Sequence, residues 1–229
     1  MPSSPPPEQS SPEYWSTLVA TGDDAESFLQ GQLSQDLHDL GDESRWSLVL
    51  APDSSVVATA LVSQVAGVYT MVVSREFAPD VLARLKRFLL RTRCSLELST
   101  EVAGPYATIG ERLDARWPGD GELRAHLTPH CYGQKFVDAT VSFTKGCFTG
   151  QELVGRLDAR GASVPWRVVY FEAPDTAAVS ALLTSAGPAG PQGVTTLVHE
   201  GYGVRGMGIA HRTLLQRDDF GSVRLGELA

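Results

Sequence analysis

The sequence predicts an α+β fold, in which antiparallel strands and helices occupy separate stretches of the chain. Three short apolar segments at 46–50, 56–62 and 68–73 are separated only by turn residues, which is typical of an antiparallel meander. A segment with one apolar face at helical spacing follows at 79–91. Beyond residue 163 the chain is again rich in strand-like segments. This order of elements favours α+β over an alternating βαβ architecture.

The N-terminal region begins with a segment that we expect to be a disordered tail, residues 1–13, because it is rich in proline and serine. Asp23 or Asp24 is suitably placed to cap a helix that runs to about Gln30. Gly31 suits the position after the end of that helix.

The middle of the chain carries the meander and its covering helix. Pro52 lies in the turn between the first two predicted strands, and Gly67 marks the second turn. After the helix at 79–91 we predict further strands at 94–98 and 106–110 and a turn at 117–121.

The predicted domain organisation has two parts after the tail. Residues 14–163 form the main α+β region, and residues 164–229 form a small, mostly β subdomain. The subdomain is predicted from strand-like segments at 166–171, 203–210 and 223–225 and from a loop at 185–193.

Composition restricts the possible function classes. The chain has 229 residues and a net charge of −8, which argues against a broad nucleic-acid-binding surface. Three cysteines without a Cys-x-x-Cys pair fit neither a disulfide framework nor a zinc ribbon. We see no apolar run that could span a bilayer and no secretory signal, so we expect a cytoplasmic protein without a membrane partner.

The most informative segment is Lys-Gly-Cys-Phe-Thr-Gly-Gln-Glu at residues 145–152. Thr149 and Glu152 have the spacing of a capping box, which predicts a helix that begins just after Thr149. Cys147 would then lie near the positive end of a helix dipole, and Lys145 adds a second positive charge. Both features favour the thiolate form of this cysteine.

Gly146 and Gly150 flank this cysteine and allow a backbone or a ligand to approach closely, because they lack a Cβ atom. A buried structural cysteine in a tight turn is the alternative interpretation of Cys147. The polar, basic and glycine-rich surroundings favour the functional interpretation.

The octapeptide, together with Arg156 and the pair Arg160-Gly161, resembles the signature of the YgfZ family, the folate-binding relatives of the glycine-cleavage T-protein. The segment at 22–36, Gly-Asp-Asp-Ala-Glu-Ser-Phe-Leu-Gln-Gly-Gln-Leu-Ser-Gln-Asp, is similar to the opening helix and turn of that family. The resemblance implies a T-protein/YgfZ-like fold that binds tetrahydrofolate or a one-carbon derivative in a cavity. It also implies a function in the assembly or repair of iron–sulfur proteins, which would be the protein partners.

In that interpretation Cys147 is the functional thiol at the mouth of the folate cavity, with Lys145 favouring its anion. The residues that would support the motif are Gly146, Thr149, Gly150, Gln151, Glu152, Arg156 and Arg160.

We predict that Gln32, Ser34 and Asp36 form a polar cluster at the edge of the folate cavity, because they alternate along the chain and would point the same way in an extended segment. The alternative for these three residues is a solvent-facing turn. Tyr106 and Trp117 are suited to flank a flat pterin ring, and core packing is the alternative for both.

The chain departs from the T-protein pattern at one point. The resemblance places a carboxylate of that enzyme in the strand after the first hairpin turn, whereas residues 54–59 here contain no acid. Asp53 lies before this stretch, and we expect it to serve the turn. We therefore expect no aminomethyltransferase turnover. A folate-dependent methyl or aminomethyl transferase with an acid supplied elsewhere is one alternative, and a binding or scaffold protein with an inert cysteine is another.

A metal site is the last candidate. His126, His130 and Cys131 are close in sequence, but Pro129 interrupts any helix that would align them, and no fourth ligand lies nearby. We therefore expect no metal ion at this cluster.

Overall fold

The computed structural model describes residues 9–161 and 164–228, which form two antiparallel sheets with short helices packed against them. The first sheet comprises β1 (Trp15–Thr21), β2 (Ser44–Leu50), β3 (Val56–Val65), β4 (Val68–Ser74) and β5 (Ser95–Val102). The second comprises β6 (Trp166–Ala173), β7 (Gly193–Glu200), β8 (Gly203–His211) and β9 (Arg224–Gly226). The strand orders are β2-β3-β4-β1-β5 and β7-β8-β6-β9. This architecture agrees with the predicted α+β class.

The helices connect the strands and are all short. They are α1 (Ala25–Gln32), α2 (Ala78–Lys86), α3 (Ile109–Asp114), α4 (Asp120–Leu123), α5 (Gln134–Thr140), α6 (Gln151–Ala159) and α7 (Thr176–Leu183), with a 3₁₀ turn at Pro129–Tyr132.

The predicted meander is present as β2, β3 and β4, which pair consecutively in antiparallel register. Strand β1, which lies between β4 and β5 in the first sheet, was not predicted. Leu18 faces Met71 of β4 on one side and Leu98 of β5 on the other. Ser16 and Thr17 weaken the apolar pattern of this strand, although Ser16 is fully buried.

Several predicted elements differ from the structure. The helix predicted at 79–91 ends at Lys86, and the chain then turns sharply, with Arg91 in the left-handed region at φ 63°. The strand predicted at 106–110 is wrong, because the Thr108 hydroxyl accepts a hydrogen bond from the Glu111 amide and caps α3. Helix α7 and strand β7 were not predicted.

The predicted disordered tail is wrong for residues 9–13, which pack against the fold. The Glu13 amide donates to the Ala107 carbonyl (3.0 Å), and the Ile109 amide donates to the Ser11 carbonyl (3.0 Å). Residues 1–8 lie outside the described part of the chain.

One hydrophobic core extends across both sheets. It includes Leu18 and Met71 from the first sheet and Val168 and Ile209 from the second. A smaller cluster lies beneath α7. The predicted subdomain at 164–229 therefore has a small core of its own and also contributes to the larger core, and its boundary stays a prediction.

A buried polar network joins the N-terminal segment to the second sheet. The side chain of Arg112 is only 4% exposed; its Nε donates to Glu13 (2.6 Å) and its Nη1 to the Trp117 carbonyl (3.0 Å). Glu122, which is fully buried, lies 3.5 Å from this guanidinium and accepts a hydrogen bond from Thr196 of β7 (2.7 Å). Each buried charge in the network has a partner of opposite charge, so no buried ion is left unpaired. The network connects α3, α4 and β7.

We predict that Arg112→Met lowers the free energy of unfolding by about 3–5 kcal/mol, because it leaves the Glu122 and Glu13 carboxylates buried without their cation. Arg93→Met is the matched control. Arg93 pairs with Asp23 and Asp24 but is 72% exposed, so its loss should cost less than about 1 kcal/mol. Urea unfolding of both variants measures the difference, and equal losses would contradict this account of the network.

Candidate functional site

The two segments that resemble the YgfZ family, 22–36 and 145–152, pack against each other. The Thr149 amide donates to the Gly31 carbonyl (3.1 Å), and the Thr149 hydroxyl donates to the side-chain oxygen of Gln32 (3.3 Å). The contact joins the end of α1 to the start of α6, over more than a hundred residues of chain.

Lys145 makes the second connection between these segments. Its ammonium donates to the carbonyl oxygens of Leu33 (2.7 Å) and Gln35 (2.9 Å) and lies 5.3 Å from the centre of the Phe148 ring. Burial lowers the pKa of Lys145 to about 8, although the Asp36 carboxylate favours the charged form. Lys145 therefore holds two chain segments together, and its predicted effect on the Cys147 thiol stays a prediction.

The predicted capping box is wrong. Helix α6 begins at Gln151 with Gly150 as its N-cap, and no side chain caps it. Glu152 instead forms an ion pair with Arg156 one turn later. The Gln151 side chain accepts a hydrogen bond from the Phe148 amide (3.0 Å) and closes the turn.

Gly150 is required by its backbone conformation and by its neighbours. Its φ is 80°, in the left-handed region. A Cβ atom there would lie 2.5 Å from the Ala51 carbonyl oxygen and 2.8 Å from the Leu50 Cβ. The Ser54 hydroxyl donates to the Gly150 carbonyl (2.5 Å), so the turn between β2 and β3 supports the motif directly.

Asp53 in the same turn has a structural role. Its carboxylate accepts hydrogen bonds from the Ser55 hydroxyl (2.8 Å) and the Ser55 amide (3.1 Å). These bonds lower the pKa of Asp53 and engage it within the turn, as the sequence predicts.

Cys147 is exposed and lines an open cavity of about 520 Å³. The walls include Phe143, which is 45% exposed, and Phe148. The charged residues that line the cavity are Lys145, Glu152, Arg156 and Arg160. The cavity also borders Gly146 and Gly155. Sequence reasoning missed Phe143 and Gly155, because neither carries a motif of its own.

The other two cysteines have different environments. Cys131 is buried in the 3₁₀ turn, and burial raises the pKa of its thiol. Cys94 is half-buried; burial and the nearby Asp24 carboxylate raise its pKa.

The residues predicted to hold a folate ring are not at this cavity. Trp117 is 5% exposed and packs 4.3 Å from Trp46 between ring centres, and Trp46 stacks on Tyr106 at 6.4 Å. Neither Tyr106 nor Trp117 lines the Cys147 cavity. Core packing accounts for the contacts of both aromatic residues. They make no contact at this cavity, and their contact with a pterin stays a prediction.

The predicted polar cluster is divided among structural contacts. Gln32 binds Thr149 as described. Asp36 accepts a hydrogen bond from the Gln30 side chain (2.6 Å), which is the main cause of its lowered pKa. Ser34 is fully buried and donates to the Thr140 carbonyl (2.6 Å).

Two further features bear on alternative functions. Within residues 9–161 and 164–228, no group of three or more histidine, cysteine or acidic side chains is arranged to hold a metal ion. The same part of the chain has no helix long and apolar enough to cross a membrane.

A second and larger cavity, of about 610 Å³, lies between the end of β4, α4 and β7. Arg75, Asp120 and Thr196 are among its lining residues, and burial raises the pKa of Asp120. None of residues 145–152 lines it, so it is separate from the Cys147 cavity.

Comparison with known proteins identifies a fold. No family model and no curated protein matches the chain. Among solved structures, the chain is similar to the glycine cleavage system aminomethyltransferase T from Bartonella henselae, with a TM-score of 0.58 and 15% sequence identity. The match covers 90% of this chain and 80% of that chain. The protein therefore shares the aminomethyltransferase T fold.

We predict that Cys147 is alkylated faster than Cys94 or Cys131 at neutral pH, by about tenfold or more, because it is exposed and the other two thiols have raised pKa values. Mass-spectrometric mapping of iodoacetamide labelling over time gives the three rates. Faster labelling of either other cysteine would contradict the prediction.

Proposed function

We propose that the chain binds tetrahydrofolate or a one-carbon derivative in the Cys147 cavity and supports the assembly or repair of iron–sulfur proteins through the Cys147 thiol. The observation that carries the proposal is the contact between the two YgfZ-like segments. It places an exposed cysteine beside a cavity of about 520 Å³, which is within the usual size range of small-molecule sites.

The lining of the cavity suits such a ligand. Phe143 and Phe148 supply apolar surface for a flat ring, and Arg156 and Arg160 supply positive charge for the carboxylates of a folate. The aminomethyltransferase T fold supports the proposal at the level of architecture only.

Cys147 provides the chemistry in this proposal. A thiolate is a soft ligand that suits iron–sulfur centres, and the exposed side chain is accessible to a partner protein. The hydrogen bonds of Lys145 and Thr149 fix the backbone on both sides of the cysteine. The iron–sulfur species would be cargo from a client protein.

An aminomethyltransferase is the second candidate, favoured by the similar fold. Residues 54–59 contain no acid, and Asp53 is held within its turn by Ser55. A carboxylate that stabilises a transition state contributes several kcal/mol, so its absence favours the first proposal.

Folate binding is tested by two measurements on the intact protein. Tetrahydrofolate at a hundredfold excess over its Kd should stabilise the native state by about 2.7 kcal/mol, seen as a raised Tm. It should also slow the alkylation of Cys147 but not that of Cys94. A raised Tm without protection of Cys147 would place the ligand elsewhere, for example in the cavity at Asp120, and no change in Tm would refute folate binding.

The role of the thiol is tested with Cys147→Ser. Because the side chain is exposed, we expect the Tm and folate affinity to change little, whereas iron–sulfur enzyme activities in a deletion strain should not recover. Full recovery with the serine variant would show that the thiol is dispensable. Turnover of an aminomethyl-lipoyl carrier by the purified wild-type protein would instead support the second candidate.

A further inference from the structure

The larger of the two cavities described above is lined by charged side chains that the proposed function does not use. It has a volume of about 610 Å³ and lies where the segment before β1, the end of β4, α4 and β7 meet. Two ion pairs in its wall, Glu13 with Arg112 and Glu76 with Arg124, are complete within the fold. One cation and one carboxylate of the lining remain, and each lacks a partner of opposite charge.

Arg75 is the cation without an anion. It forms no ion pair and no side-chain hydrogen bond with any described residue, and its Nε atom is buried without an acceptor. Its guanidinium lies 4.9 Å from the centre of the Tyr14 ring, which orients the side chain but does not neutralise it. A buried donor without an acceptor is unfavourable, so an anion bound in the cavity would complete the site.

Asp120 is the carboxylate without a cation. It forms no ion pair with a described residue, and the Ser74 hydroxyl donates a hydrogen bond to it. Burial raises the pKa of Asp120, and the nearby Glu76 and Glu13 carboxylates raise it as well. Arg112 acts in the opposite direction but is already engaged by Glu13. A positive group beside Asp120 would offset its burial and the repulsion.

The two unpaired charges adjoin the same residue. Arg75 follows Ser74 in the chain, and Asp120 accepts the hydrogen bond of the Ser74 hydroxyl. They do not pair with each other, so a ligand that carries both charges can bridge them. Apolar Ile109 and Leu197 also line the cavity and can cover an apolar group. The lining therefore suits a small molecule with an anion, a cation and an apolar body.

We propose that this cavity binds an α-amino acid with an apolar side chain, whose carboxylate pairs with Arg75 and whose ammonium pairs with Asp120. The two charged groups of such a molecule are attached to one carbon atom, so they can reach two protein charges that adjoin one residue. A carboxylate also matches the planar guanidinium in shape. The lining carries three arginines and three carboxylates, so a ligand without net charge fits it better than a polyanion.

The first test uses the wild-type protein and therefore does not depend on how a variant folds. L-phenylalanine and the smaller L-leucine are the probes, measured by calorimetry with the intact chain at neutral pH. N-acetyl-L-phenylalanine lacks the ammonium, and phenethylamine lacks the carboxylate. Because each lost contact is an ionic hydrogen bond, we expect either analogue to bind about tenfold more weakly than phenylalanine, or worse. Equal affinities for phenylalanine and its two analogues, or no binding of either amino acid at millimolar concentration, would overturn the proposal.

Two variants assign the charges. Arg75→Gln should weaken the binding of phenylalanine about tenfold and leave that of phenethylamine unchanged, because phenethylamine has no carboxylate. Asp120→Asn should weaken phenylalanine similarly and leave N-acetyl-L-phenylalanine unchanged. Arg87→Gln and Asp42→Asn are the matched controls, since both residues are exposed and neither lines the cavity. Full affinity for phenylalanine in both cavity variants would show that the site is wrong.

The place of binding is checked at Cys147. The two cavities share no lining residue, so bound phenylalanine should not change the rate at which iodoacetamide alkylates Cys147. Slower alkylation would place the amino acid in the Cys147 cavity and contradict the proposal. None of these results depends on whether tetrahydrofolate binds, so the amino acid site and the proposed function can fail separately.

Discussion

The site depends on one ammonium group that binds two carbonyl oxygens. Lys145 donates to Leu33 and Gln35, which follow α1 and belong to a segment more than a hundred residues earlier in the chain. Carbonyl oxygens that follow the end of a helix are not satisfied by that helix, so a cation is a suitable partner for them. The segment that carries Cys147 is thus positioned by tertiary structure, and the site forms only when the first sheet and α1 are in place.

A second contact fixes the other side of the cysteine. Gly150 fits against Leu50 and Ala51 only because it has no Cβ atom, and Ser54 binds its carbonyl. The backbone on both sides of Cys147 is therefore held, while the cysteine side chain remains exposed. This combination presents a thiol in a defined place and leaves it accessible, which is useful for a thiol that acts on another molecule.

The sequence predicted those parts of the structure that depend on local pattern. The three strands of the meander are short apolar segments separated by turn residues, so their predicted bounds are nearly correct. The strand β1 was missed because polar Ser16 and Thr17 weaken its apolar pattern and because its partners are distant in sequence. Thr149 and Glu152 have the spacing of a capping box, but the left-handed conformation of Gly150 moved the start of α6 by one residue and left Glu152 to pair with Arg156.

The same distinction applies to the candidate site. The glycines and the cysteine of the motif identified the segment that carries the exposed thiol. Nothing in the local sequence indicates that Lys145 binds backbone carbonyls or that Gln32 binds Thr149, because those contacts are made across the fold. Tyr106 and Trp117 are the kind of residue that binds a flat ring, yet they pack with Trp46, since an aromatic side chain serves equally well in a core.

The place of β1 in the first sheet constrains the order in which the chain can fold. Among the strands of the first sheet it is synthesised first and is the last to gain partners on both edges, because Leu18 must wait for Met71 and then for Leu98. Loop closure over such separations is slow compared with hairpin formation. The meander can form first, and β1 then enters between β4 and β5. During synthesis one edge of β1 stays unpaired for about 80 residues of elongation, which takes several seconds at ordinary translation rates. In this interval the exposed strand edge is most in need of a chaperone.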